Sequence, residues 1–312
     1  MRNRRQVLGM LGGAVAAPAF IRTARAQSAP LRIATIPFDV GMEVYFAREL
    51  GLFEKHGFPN VTIQPIDSGA AISAAVAGGA VDIGVSNVVT LANAFGKNIP
   101  FTIVAPGGMY SSEAPTSVLM VPQNSTLKTA RDLNGKVIAV NNLGAVAQFA
   151  PMAWMDKNGG DSSSAKFIEM PEPQIMSDLA TGRIDAGLVI EPFISAAKAN
   201  SRVFADVFDA VAPAFMIVAH FAMIPWAKAN PDVIHRFQTV IAEAAVWGNA
   251  NHVKSAEILA GVSKLSPAAI SHMNRVVYGE RIDLPQIQSV IDVTSKYGGI
   301  KPFSARSLIY NA

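Results

Sequence analysis

The sequence predicts an α/β protein of two lobes, each a mainly parallel sheet flanked by helices, with a cleft between them. Three observations carry this expectation. Short apolar strands alternate with helical segments through most of the chain, the pattern of parallel sheets covered by helices. At 312 residues, with 50% apolar and 16% charged side chains, the chain is long enough for two cores. One stretch also occurs twice: Ile72 to Asn87 reads like Ile175 to Phe193. Ala77, Gly79, Val81, Asp82 and Gly84 recur as Ala180, Gly182, Ile184, Asp185 and Gly187, every pair 103 residues apart. In each copy a small-residue helix stops at a glycine, the residue that enters the left-handed conformation without strain. A buried strand comes next, Val81 to Val85 in one copy and Ala186 to Ile190 in the other. Ligands of α/β sheets bind at the carboxyl ends of strands, so two such ends supply two walls of a cleft.

Taken in order, residues 1–26 read as an export signal. Arg2, Arg4 and Arg5 precede an apolar run from Val7 to Phe20, and Ala24-Arg25-Ala26 has the small-x-small pattern of a cleavage site before Gln27. The run is shorter than the ~20 residues that span a bilayer. Asn3 to Leu8 also resembles the twin-arginine export motif. The signal holds five of the 26 basic residues, leaving 21 against 23 acidic ones, a net of about −2. That balance gives no support to a nucleic-acid partner. The absence of cysteine excludes disulfides, thiolate metal sites, a cysteine nucleophile and a lipid-modified cysteine. No cofactor is expected.

Residues 27–112 read as the first part of lobe 1, with strands at Leu31–Ile36, Val61–Ile66 and Phe101–Val104 and a helix from Gly41 to Leu50. Residues 113–212 read as lobe 2, with strands at Ser117–Val121, Lys136–Val140 and Lys166–Glu169 and a helix from about Ala145 to Asp156. Residues 213–312 read as a return to lobe 1 through a strand at Phe215–Phe221. Beyond it come helices packed on that lobe, one opened by Asn230-Pro231 and another by Ser266-Pro267.

Four segments resemble the solute-binding proteins of ABC importers, in the sulfonate, nitrate and taurine branch that also includes pyrimidine-precursor binders. They are Ala47 to Gly57, Ala77 to Gly84, Asp132 to Val140, and Gly182 to Ala186 leading to Glu191-Pro192-Phe193. The resemblance implies the type II periplasmic binding fold: two lobes joined by two crossovers, closing by hinge motion on one small ligand. It further implies a monomer in the periplasm that delivers an anionic or zwitterionic solute to a membrane permease driven by a cytoplasmic ATPase. An exported sensor subunit for a membrane kinase would keep the same site. Thiamine-pyrimidine synthases share the fold but carry a cysteine-rich motif, which this chain lacks, so no enzyme is expected.

If that fold holds, the pocket is built from the residues just beyond each strand. Phe38 and Asp39 lie beyond the first, Ser68 and Gly69 beyond the second, Ser86 and Asn87 beyond the third. Asn141, Asn142, Gly144, Ala145 and Glu191 come from the other lobe, and His220 lies near the return crossover. Ser68-Gly69 and Asn142 to Ala145 would present free amides at helix starts, where partial positive charge favours an anion. Each Ser or Asn reads equally as a helix cap, and Glu191 as a cleft residue or a hinge tie. An ionised Glu191 or Asp39 in the pocket would call for an amine in the ligand. Ser125 to Lys128 matches a Ser-x-x-Lys motif, but its partner motifs are missing. The five histidines, His56, His220, His235, His252 and His272, show no metal-ligand spacing.

Overall fold

The computed structural model describes residues 30–197, 200–263 and 265–311. The expected export signal and its cleavage site lie outside them. The strands in chain order are β1 (Leu31–Thr35), β2 (Val61–Pro65), β3 (Ile83–Asn87), β4 (Phe101–Pro106), β5 (Gly108–Ser111), β6 (Ser117–Pro122) and β7 (Val137–Val140). They continue with β8 (Lys166–Glu169), β9 (Ala186–Ile190), β10 (Ser201–Ala205), β11 (Ala214–Met216), β12 (Val218–Met223) and β13 (Val277–Tyr278).

Two five-stranded sheets form the lobes, in the orders β2-β1-β3-β12-β4 and β8-β7-β9-β6-β10. The orders are equivalent. In each, one strand is reversed, β12 in the first and β6 in the second. The reversed strand sits beside the strand of the repeated segment.

The repeat has one physical cause in both copies. Gly79 and Gly182 close their helices at φ 71° and 69°. Asp82 accepts the Arg32 amide at 2.9 Å and donates its own to the Arg32 carbonyl at 2.8 Å. Asp185 does the same with Val137, at 2.9 Å and 3.1 Å. Each aspartate therefore clips its strand to the start of the neighbouring parallel strand. Gly84 and Gly187 allow the helix to lie against the sheet: a Cβ there would sit 2.6 Å from Ile72 Cγ2 and 2.5 Å from Ile175 Cγ2. Gly187→Ala should therefore destabilise the fold by about 1–3 kcal/mol through overpacking, measured by denaturant titration. A change below about 0.5 kcal/mol would contradict the close approach.

Three expectations need correction. The strand of the first copy is Ile83–Asn87, not Val81 to Val85, because Val81 and Asp82 belong to the entry turn that docks on Arg32. Phe215 to Phe221 is two strands, since β11 pairs with β5 before β12 enters the first sheet. With β13 the pair forms a three-stranded sheet, β11-β5-β13, on which both crossovers and the returning C-terminal segment meet. Nor do the late helices all pack on lobe 1. Pro231–Ala250 does, against Glu43–Glu49 and β4, whereas Leu284–Gly298 lies against both Val88–Gly96 of the first lobe and Val146–Lys157 of the second. Tyr297 Oη donates to Asp156 Oδ2 at 2.8 Å, and Ile287 and Ile291 join the apolar cores of the two lobes.

Candidate functional site

A cleft of about 410 Å³ lies between the carboxyl ends of the two sheets. Nine of the twelve sequence-predicted residues border it: Phe38, Asp39, Ser68, Gly69, Asn87, Asn141, Asn142, Ala145 and Glu191. The topology explains the grouping, since each succeeds or ends a strand whose carboxyl end points to the cleft.

Two helix starts face this space, one from each lobe. Ser68 Oγ caps the helix Gly69–Ala77 by accepting the Ala71 amide at 3.4 Å, and the amides of Gly69 and Ala70 have no acceptor among the described residues. On the opposite wall the helix Val146–Lys157 has Ala145 at its cap position, which offers no side-chain acceptor. The Val146 and Ala147 amides are likewise without an acceptor among the described residues. The first amides of a helix have no intrahelical partner and carry the positive end of its dipole. A third start, Val88–Gly96, is closed by its own cap, Asn87 Oδ1 accepting from Val89 at 2.8 Å.

Three predicted residues do not reach the cleft. Ser86 is fully buried beneath it and donates to the Gly69 carbonyl at 3.1 Å, so it steadies the helix start from behind. A Cβ on Gly69 would lie 2.8 Å from Ser86 Oγ, so any side chain there would have to displace that hydroxyl. Gly144 turns at φ 72° and gives its amide to Gln148 Oε1 at 2.8 Å, while the neighbouring Leu143 amide goes to Glu169 at 2.8 Å. The Leu143 and Gly144 amides are thus engaged within the lobe. His220 is wholly buried on β12, with Nδ1 hydrogen-bonded to the Pro106 carbonyl. Burial pushes its pKa down to about 4, so it is a neutral core residue.

The carboxylates of the cleft also differ from expectation. Asp39 is not open to a ligand amine: Oδ1 accepts from Arg275 Nε at 2.8 Å and Tyr278 Oη at 2.8 Å, with Arg275 Nη2 ion-paired to it at 2.6 Å, and Oδ2 accepts the Val276 amide at 2.9 Å. Burial alone would lower the Arg275 pKa, but the hydrogen bond and charge of Asp39 more than offset it and raise it. Glu191 accepts from the Ser195 amide at 3.2 Å, the Ser195 hydroxyl at 3.1 Å and the Asn274 amide at 3.2 Å. It therefore borders the cleft and ties the segment after His272 to the second lobe, the two roles that were open in the sequence.

Sequence reasoning missed this third wall. Met273, Asn274 and Val276 run along the cleft, tied to Glu191 at one end and Asp39 at the other. Asn274 Nδ2 adds a bond to the Pro115 carbonyl at 2.8 Å. Polar residues at the start of β6 and before it, Thr116 and Ser117, also face the space; their place at the start of a predicted strand was the one available signal. Ile190, Ile217 and Val218 supply apolar surface, and among the described residues no lysine or arginine borders the cleft.

Comparisons agree with this architecture. The chain is 25% identical over 248 residues to the taurine-binding periplasmic protein of Escherichia coli (strain K12), covering 76% of this chain and 73% of that protein. Its fold is similar to that of the periplasmic aliphatic sulphonate binding protein SsuA from Escherichia coli (TM-score 0.75, 19% identity, 90% of this chain and 92% of that one). It is similar also to the alkanesulfonate-binding protein SsuA from Xanthomonas axonopodis pv. citri bound to MOPS (TM-score 0.72, 19% identity, 92% and 100%). These relatives are binding proteins on the two-lobed periplasmic binding fold. Residues 41–252 match the NMT1/THI5-like family, and with more than half of its length matched the chain belongs to that family.

Proposed function

We propose that this protein is the periplasmic substrate-binding component of an ABC importer, taking a small anionic or zwitterionic solute of the sulfonate, taurine or nitrate type and presenting it to a membrane permease. The carrying observation is the pair of helix starts whose first amides have no acceptor among the described residues, Gly69-Ala70 and Val146-Ala147, facing one cleft from opposite lobes. An anion held there gains from both dipoles without a cationic side chain, and can join the lobes only when both amide pairs reach it. The apolar lining favours an organic body on the anion. In this reading the lobes divide near residues 112 and 212, where the crossovers run. Since Asp39 and Glu191 are held by protein groups, an ammonium is not required in the ligand. Asp67, exposed at the border of the cleft, is the carboxylate placed to meet one.

A thermal-shift screen of the protein from Gln27 onward, refolded to strip carried ligand, tests the reading against alkanesulfonates, taurine, nitrate, small aromatic acids and pyrimidines. A ligand at 100 times its Kd should stabilise the fold by roughly 2.7 kcal/mol. A saturable shift with anions and none with pyrimidines is the expected result. The reverse pattern would overturn the ligand class, and chemical conversion of the recovered ligand would overturn a purely binding role.

A further inference from the structure

Behind the second lobe's wall lies a carboxyl group that plays no part in the anion site. Glu172 opens the helix Glu172–Thr181, is 9% exposed, and neither of its oxygens makes a well-formed hydrogen bond among the described residues. Its neighbours identify its place. Its helix packs against β7 and β9, and Asn141 just beyond β7 and Ile190 at the end of β9 border the cleft. Strand register explains the meeting: β7 pairs with β8 and β9, so the residues just beyond these three strand ends converge.

No positive group among the described residues stands near to hold a charge on Glu172. The elements packed against its helix are β6, β7, β9 and Phe193–Ala197, and none contains a charged side chain. Glu191 beyond β9 is bonded to Ser195 and Asn274, and Glu169 at the end of β8 to Leu143. On its own helix Asp178 is bonded to Gln174 and Arg183. The charged groups around it are thus mainly other carboxylates.

We propose that Glu172 is a proton-sensitive group behind the cleft wall: neutral, it leaves the anion site undisturbed, and loss of its proton makes the cleft reject anions. Burial pushes its pKa up to about 8, against the weaker opposing pull of Ile190 and Asn141, so the neutral form prevails at pH 7. Deprotonation would place a negative charge directly behind a wall built to receive one.

The proposal rests on the anion reading, and the test separates the two. Isothermal titration with 1-butanesulfonate, ionised at every pH used, should give a constant Kd from pH 6 to 7.5. Above pH 8 the Kd should rise by up to tenfold per pH unit. Glu172→Gln should keep the low-pH affinity and lose the rise. A flat wild-type profile overturns the proposal. If the sulfonate binds at no pH, the ligand reading fails, and carbon-13 NMR of the unliganded protein decides on Glu172. A shared midpoint near 8 for the Glu172 carboxyl and the Asn141 side-chain amide, with the Asn141 step absent in Glu172→Gln, upholds it; titration in the ordinary carboxylate range overturns it.

Discussion

Arg275→Met should cost roughly 3–5 kcal/mol of stability, because it leaves the Asp39 carboxylate buried without its counter-charge. The side chains of the pair are 9% and 10% exposed, so solvent can replace little of what is lost. Tyr278 and the Val276 amide remain as hydrogen-bond donors, which sets the lower end of the range. Arg275→Lys should recover only part of the loss, since a single ammonium cannot reproduce both the Nε bond to Asp39 and the Nη2 bond to Tyr278. The double variant Asp39→Asn/Arg275→Met should be more stable than Arg275→Met alone, the signature of a coupled pair. Denaturant titration reads all of these. Ligand affinity should fall as well, since Met273, Asn274 and Val276 hold their places along the cleft through this anchor. A loss below about 1 kcal/mol in Arg275→Met would mean that the anchor lies elsewhere.

The second large effect concerns pH. Glu43, on the helix Glu43–Glu49, is fully buried and its oxygens have no hydrogen-bond partner among the described residues. Burial, with a smaller contribution from nearby Asp39, pushes its pKa up to about 8. Folding therefore takes up a proton at neutral pH. The folded pKa lies above the unfolded one, so the contribution of Glu43 is fully present below about pH 4.5 and declines as pH rises toward 8. The slope is about 1.4 kcal/mol per pH unit. Glu172 has the same sign and window. Glu43→Gln should remove one share of that slope, raising stability at pH 7 by up to about 3 kcal/mol and leaving it nearly unchanged at about pH 4.5. Equal slopes in variant and wild type, from melts across roughly pH 4.5 to 8.5, would show that Glu43 ionises normally in the folded protein.

His220 works against these two at the acidic end. Its folded pKa is depressed to about 4, so its contribution is present above the unfolded value near 6.5 and is lost as pH falls from there toward 4. Because His220 titrates alike in Glu43→Gln and in wild type, its background cancels in the difference between the two slopes.

The local parts of the architecture were legible in the residues. Gly79 and Gly182 end helices whatever surrounds them, because only a residue without Cβ enters that conformation without strain. Apolar runs such as Ala186 to Ile190 announce buried strands, and the spacing of Asp82 and Asp185 from those glycines marks a unit used twice. That residues beyond strand ends border the cleft was legible for the same reason, since their position depends on a neighbouring element a few residues away. Ser86 was misplaced by the same rule: beyond the strand end in sequence terms, it belongs to β3 and points beneath the cleft.

Only the tertiary structure could decide which polar groups meet. Asp39 and Arg275 are 236 residues apart in sequence, and neither stands in a periodic pattern that would announce its partner. The pairing turned a presumed ligand-facing carboxylate into an anchor for a third wall of the cleft. His220 looked available because it stands at a crossover, but its environment is set by Pro106 and Phe237 from other elements. Glu43 and Glu172 stand in the first turn of a helix, where an acidic residue is ordinarily exposed and charged. Their burial makes them neutral acids. By itself the sequence determined the repeating α/β unit, two lobes and the strand ends where a ligand would bind, because those depend on local conformation and hydrophobic pattern. The tertiary structure decided which groups in the cleft are charged, which are neutral and which are free, because desolvation and hydrogen bonding depend on contacts that sequence separation does not encode.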